Sequence, residues 1–425
     1  MHLDTTGSVE ERGECGALKK FFERDHSWTF FFLAAFLRLA FFFFILIRFG
    51  DAGFILPPFS DGHGYAAIAH NVLEGRGFSL EEEPPYLPDT KRVPLYPLFL
   101  AATFTITDGA LWLAALLQTV MSSATALLVY IFTERVAGRR AAFFAGLFAA
   151  IQPFNILLST QILAEAVFTL CLLGVFTLFV WALHSRTYAH FLVGGIVAGI
   201  ATLVKPVGQY IPFLLIPIIA LGQSGIKRLW NPLIYLVGFL IIVSPWIARN
   251  NYAAGVPTLS YEANILFSLH LAGYEAFKET GAASRAAEYR TESSPEELLA
   301  IKRSEFVARV MSVALHDPAG FSYYLLITTI PFVFGDGFIT IVHSLSSDPT
   351  IPPWDFSTSA SALGHTIGLG ILPPWLLLLS IVSKTIWGIV LLGAAFGFVQ
   401  FFREGGHKRL ICFAIAVTVC YFAFA

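Results

Sequence analysis

Side chains that can move a proton or hold a charge are scarce in this chain, and the telling ones stand at the edges of its apolar runs. Asp61 and His63 lie in "FSDGHGYAAIAHNVLEGRGF", Arg92 in "KRVPLYP", Glu165 in "STQILAEAVFTL", Lys205 in "TLVKPVGQY" and Arg249 in "SPWIARNNY". A carboxylate at a helix start, where Asp61 falls, is held ionised by the dipole and the free amides. It can then serve as a base toward a hydroxyl or an amine. Arginine offers a bidentate fork and lysine a point charge, and both suit an anionic group such as a phosphate. Each residue also has a plain structural reading: Asp61 as a helix cap, the bases as side chains reaching to the interface, Glu165 as a buried acid met by a neighbour. Ionisable groups within a membrane are costly, however, and their convergence favours function. Asp61 and His63 supply two potential metal ligands with no third at a fixed spacing, so a divalent metal is the minority reading and no cofactor is required.

These residues need a scaffold, and the composition says which kind. Of 425 residues, 56% are hydrophobic and 13% charged, against about 25% charged in soluble domains. The chain is therefore expected to be an all-α, polytopic integral membrane protein with about nine transmembrane helices. Candidate spans run over 28–49, 111–133, 141–157, 161–183, 191–204, 209–221, 232–247, 375–401 and 410 to the end. The first is long enough to cross and has no small-residue cleavage site after it, so it reads as a signal anchor. Arg38 sits inside it and is expected to pair within the bundle. The four cysteines form no disulfide pattern. With a net charge of −2 and no basic stripe, no nucleic-acid partner is expected.

Basic residues assign the sides. Lys19, Lys20 and Arg24 precede the first span, and short linkers hold Arg135, Arg139, Arg140, Arg186, Lys227, Arg228, Arg403, Lys408 and Arg409. Putting all of these in the cytoplasm leaves "PLYPLFLAATFTI" as a re-entrant or interfacial helix, too short to cross, with Pro94 suited to its first turn. The expected organisation is a cytoplasmic segment 1–27 and a catalytic membrane module 28–250, which includes an external loop 50–93 and the re-entrant helix 94–106. An external region 251–374 and closing spans 375–425 follow. In the first loop Tyr65, Ile68, Ala69, Val72 and Leu73 make the apolar stripe of an amphipathic surface helix that starts at Asp61 and ends at Gly75. The external region is expected to hold a helix with capping-box spacing at 294–297, closed before Pro318, and a Ser/Thr/Gly-rich loop from Thr340 to Gly370.

In order, "SDGHGYAAIAHNVLEGRGFSL", "RVPLYPLFLA", "STQILAEAVFTL", "TLVKP" and "SPWIARNNYAAGVPTLSYEANILFSL" resemble the GT-C glycosyltransferases. The resemblance is to the group of the dolichyl-phosphate-mannose protein mannosyltransferases and the lipid A aminoarabinose transferase. It covers roughly residues 28–269. It implies transfer of a sugar from a polyprenyl-phosphate donor to a lipid, glycan or protein acceptor at the outer face of the cytoplasmic membrane. Asp61 is then the catalytic carboxylate. Glu165, Lys205, Arg249, Arg92 and Tyr65 are the expected substrate-binding residues, with the bases on the leaving phosphate. Many relatives follow the first-loop acid with a second acid, where this chain has Gly62. Relatives also continue into an Arg-Tyr-x-x-Pro segment and further spans, whereas this chain stops at Ala425 inside an apolar run, as a fragment or shortened member would. Two other classes stay open: a secondary transporter, which would carry ionisable groups near the midplane on internal repeats, and an inactive membrane scaffold.

Overall fold

The computed structural model describes residues 24–56, 61–185, 187–255, 257–260, 274, 278, 312, 315–324, 336–346 and 373–424. The expected helix at 294–297 and the residues from 347 to 370 lie outside that set. Among the described residues every regular element is helical, an arrangement that satisfies backbone groups within each span where bilayer hydrocarbon offers no outside partner.

In chain order the helices are α1 (Ser27–Phe49), α2 (Asp61–Leu73), α3 (Leu95–Thr107), α4 (Trp112–Ala137), α5 (Arg139–Ile151), α6 (Pro153–Thr160) and α7 (Glu165–Ser185). They continue as α8 (Tyr188–Val204), α9 (Ile211–Leu221), α10 (Lys227–Ala254), α11 (Phe338–Leu345), α12 (Pro374–Glu404) and α13 (Gly406–Phe424). Five of them, α1, α4, α7, α10 and α12, are long and apolar enough to cross a bilayer individually. The protein is a multi-pass membrane protein. Of the other four expected spans, α8 and α9 are shorter apolar helices and the last is α13. The remaining one is broken.

That break corrects the expected single span over 141–157. The chain bends by 51° between α5 and α6. Pro153 has no N–H for the Ala149 carbonyl one turn back, so the ladder fails there. Arg38, only 1% exposed in mid-α1, supplies the missing donors: Nη2 donates to the Ala149 carbonyl at 3.0 Å and Nη1 to that of Ala150 at 2.9 Å. Its Nε donates to Ser122 Oγ at 3.1 Å. Arg38 thus pairs within the bundle as expected, through carbonyls that a proline has freed.

Small residues set the closest helix contact, between α8 and α10. A side chain at Gly195 would collide with the Tyr235 carbonyl, and one at Gly238 with that of Leu192. Close backbone approach of this kind is how spans associate when lipid removes the hydrophobic drive between them.

The bundle has two unlike ends. At one, the Tyr130 hydroxyl bonds to the Arg24 carbonyl at 3.4 Å, and the His26 ring packs on Phe143 at 5.3 Å. There too Lys227 sits 5.8 Å over the Tyr188 ring, and Gly222 abuts Leu183 and Leu410. The described basic linkers therefore gather at a single end. The opposite end carries α2, α3, the chain between α6 and α7, and the C-termini of α8 and α10.

One further expectation changes in the structure. The polar stretch from Thr340 begins as helix, because α11 runs through Leu345 with Ile339 and Val342 in an apolar cluster with Leu376 and Leu377 of α12. On α2, Ile68 and Ala69 are buried and Tyr65 and Val72 half-buried, while Leu73 at the helix end is 43% exposed.

Candidate active site

The site end is built on a turn that the sequence alone assigns to a span. Helix α7 was expected to begin at Gln161, placing Glu165 about one turn inside. Instead residues 161–164 form a turn and Glu165 is the first helical residue. The side chain of Gln161 draws the backbone out of the helix. Its Oε1 accepts from the Leu56 amide at 2.8 Å, its Nε2 donates to the Gly53 carbonyl at 3.3 Å, and the Ile162 amide donates to the Phe54 carbonyl at 2.7 Å. Glu165 thus stands at the rim.

Lys205 ends α8, where the chain turns extended ahead of Pro206. Its Nζ lies 2.6 Å from Glu165 Oε1, with the two side chains 29% and 37% exposed. A half-exposed pair of this kind adds little to stability. It is open to a ligand.

Asp61 is the first residue of α2 and is exposed. Beside it, Gly62 is buried, and a side-chain carbon there would meet the Ile162 carbonyl at 2.8 Å. A second acid at that position, which the resemblance leads one to expect, would have no room. The same contact seats Asp61's helix on the turn that leads to Glu165.

Arg92 approaches α2 from the other side. Its guanidinium fills the space that a side chain at Gly64 would occupy and lies 5.7 Å over the Tyr65 ring. Asp89 holds it, accepting from the Arg92 amide at 2.7 Å and standing 3.6 Å from Nη1. Tyr65 in turn meets Tyr96 edge-on at 4.9 Å. Pro94 caps α3 with helical dihedrals, and its carbonyl accepts from the Leu98 amide at 3.0 Å, so it opens the first turn as expected.

Arg249 is arranged differently. Helix α10 runs on to Ala254, so Arg249 lies within it. Nη1 donates to the Asp89 carbonyl at 2.7 Å and to Asn250 Oδ1 at 2.9 Å, and Nη2 donates to the Phe78 carbonyl at 3.2 Å. The guanidinium also lies 4.7 Å over Trp246 and 5.4 Å over Phe78. Arg249 fastens the first loop to α10. The chain after α10 folds back onto the same place: Trp246 Nε1 donates to the Leu259 carbonyl at 3.1 Å, and Ser260 Oγ bonds to the Lys91 carbonyl.

The structure therefore joins Glu165 to Lys205, Arg92 to Tyr65, and Arg92 to Arg249 through Asp89. Sequence reasoning missed Asp89, Gln161 and Tyr96, and with them the buried Gln118, whose Oε1 accepts from the Tyr96 hydroxyl at 2.9 Å. A polar amide within an apolar run, as in "ALLQTVMSS", was the available signal for Gln118; Asp89 had none. Among the described residues no group of three or more His, Cys, Asp or Glu side chains is placed to hold a metal ion.

Residues 90–248 match the family profile described as dolichyl-phosphate-mannose-protein mannosyltransferase. The matched segment holds Arg92, Glu165 and Lys205. It supports a GT-C membrane glycosyltransferase. The match spans less than half the chain, starting after Asp61 and Tyr65 and stopping one residue short of Arg249. Among solved structures, the crystal structure of ArnT from Cupriavidus metallidurans bound to undecaprenyl phosphate is similar, with a TM-score of 0.44 and 15% identity, over 94% of this chain and 76% of that one. Among curated proteins none is significantly similar to this chain.

Proposed function

We propose that this protein transfers a hexosyl or pentosyl group from a polyprenyl-phosphate-linked donor to a hydroxyl or amine of a lipid, glycan or protein acceptor. Transfer takes place at the outer face of the cytoplasmic membrane. The observation that carries the reading is the rim of acids and bases at one end of the bundle, opposite the basic linkers, with Arg92, Glu165 and Lys205 on a segment similar to the mannosyltransferase family. The positive-inside rule puts those linkers in the cytoplasm and the rim outside. A transporter would instead use ionisable groups at the midplane, where Arg38 is committed to backbone carbonyls.

In this mechanism Asp61 takes the proton of the acceptor while the acceptor's lone pair bonds to the anomeric carbon. The bond from that carbon to the phosphate oxygen breaks, and its electron pair leaves with the polyprenyl phosphate. Lys205 and Arg92 meet the charge gathering on that phosphate, and Arg249 both holds the loop and turns its remaining donors toward it. Glu165 orients Lys205 and contacts a sugar hydroxyl; Tyr65 flanks the sugar under Arg92. The leaving-group charge is assigned to these side chains, so no cofactor is invoked. The test is transfer from a radiolabelled polyprenyl-phosphate sugar pool by purified protein in liposomes, with and without EDTA. Label appearing in an acceptor, unaffected by EDTA, is the expected result. Solute flux without transfer would overturn the reading.

A further inference from the structure

Gln118 lies on α4, fully buried, as are Thr119, Ser159 and Gln161, with Tyr96 1% exposed. A glutamine in a span is costly unless its amide is satisfied. Its side-chain bonds all leave its own helix. The Tyr96 hydroxyl of α3 donates to its Oε1 at 2.9 Å. Its Nε2 donates to the Ser159 carbonyl at 3.1 Å and to the Gln161 carbonyl. The Ser159 carbonyl has left the helical ladder, because the Leu163 amide one turn on donates to Gln161 instead. Thr119 Oγ1 also lies 3.1 Å from that carbonyl, its single proton shared with the Ala115 carbonyl at 2.7 Å.

From this hub two short paths lead to the site. One runs through Tyr96 to the Tyr65 ring, one helical turn after Asp61 on α2. The other runs through Gln161 to the turn whose Ile162 carbonyl seats Gly62 and whose next helix begins at Glu165. The hub therefore touches both shoulders of Asp61's helix and the mount of the Glu165–Lys205 pair.

We infer that Gln118 is a positioning residue for the transfer reaction, fixing Asp61's helix relative to Glu165; the assignment rests on the glycosyl-transfer reading above. Relaxing that geometry acts on the chemical step, since a misplacement of about 1 Å can cost about 10²-fold in rate. Gln118→Met keeps the volume and removes every bond, whereas Tyr96→Phe keeps the ring and removes one hydroxyl. Expected are falls in kcat of roughly 10- to 100-fold and roughly 5- to 20-fold, with donor KM within about 3-fold of wild type. In the Gln118→Met background Tyr96→Phe should have almost no further effect, because the two act through one bond. Tyr130→Phe, a buried tyrosine whose hydroxyl bonds lie at the basic end, is the control for general loosening and should keep wild-type kcat.

A readout independent of activity is the distance between spin labels at the exposed positions His63 and Thr169, in a cysteine-free background. Both network variants should broaden it, and Tyr130→Phe should not. An unbroadened distance overturns the inference whatever the rates, and so does wild-type kcat in Gln118→Met and Tyr96→Phe. If wild type transfers no lipid-linked sugar while the distance broadens as expected, the glycosyl-transfer reading falls and the coupling of the two helices stands.

Discussion

Removing Arg249 should open the first loop before it does anything else. Its guanidinium ties the Phe78 and Asp89 carbonyls, one at each end of the segment 78–89, to α10. At about 1 kcal/mol net for each bond to a half-buried partner, plus about 0.5–1 kcal/mol for stacking on Trp246, Arg249→Ala should lower the local opening free energy by about 2–3 kcal/mol. That is roughly a 30- to 150-fold larger open population, at about 1.4 kcal/mol per decade. The assay is limited trypsin cleavage at Arg76, which is exposed but lies in a turn held by the Asn71 bonds to the Ser79 and Glu81 carbonyls. At low protease the cleavage rate follows the open population. Arg249→Lys keeps the charge but loses the planar fork, so it should recover less than half of the protection. If Arg249→Ala were cut at Arg76 no faster than wild type while losing donor affinity, the loop-clamp account would be refuted and Arg249 would be a phosphate ligand alone.

Other expectations are open to direct measurement. Arg38→Met should cost about 2–4 kcal/mol by orphaning the Ala149 and Ala150 carbonyls, and adding Pro153→Ala should restore about 1 kcal/mol by returning an N–H to Ala149; thermal unfolding in detergent reads both. Gly195→Ala should cost about 1–3 kcal/mol through overpacking on the Tyr235 carbonyl, whereas Gly174→Ala, whose new carbon would stand 3.5 Å from Val197, should be close to neutral. The contact of the Tyr274 hydroxyl with Asp317 holds that carboxyl below its ordinary range, and burial with this bond pushes Tyr274 up to about 12. Its contribution is therefore present above a pH of about 4 and lost as pH falls through the depressed Asp317 value. It is complete below about pH 10 and lost as pH rises toward the Tyr274 value. Tyr274→Phe should raise the Asp317 titration followed by carbon-13 NMR of labelled aspartate, and an unmoved titration would show that the bond does not form.

The sequence made the helices legible because bilayer burial imposes long apolar runs, and it grouped Arg92, Glu165, Lys205 and Arg249 at one end because basic linkers mark the other one. Local backbone choices were less visible. Pro153 lies in an apolar stretch that reads as one span, and only the fold shows that Arg38 can replace the hydrogen bonds it removes. Glu165 moved to the helix start because Gln161 bonds to residues 53–56, a pairing more than 100 residues distant in sequence. Arg249 had the right chemistry for a phosphate, yet its donors go first to two loop carbonyls. No periodicity encodes that choice.

The central claim is that Asp61 removes the acceptor proton, and one substitution separates this from a structural role at the start of α2. Asn can accept an amide bond at a helix start about as well as Asp, but it cannot take up a proton. Asp61→Asn should express, bind the polyprenyl-phosphate sugar with wild-type affinity, and lose transfer by about 10²–10⁴-fold in a single-turnover assay. Normal single-turnover transfer by Asp61→Asn, with Asp61→Ala merely less stable, would make Asp61 a helix-start residue and contradict the mechanism.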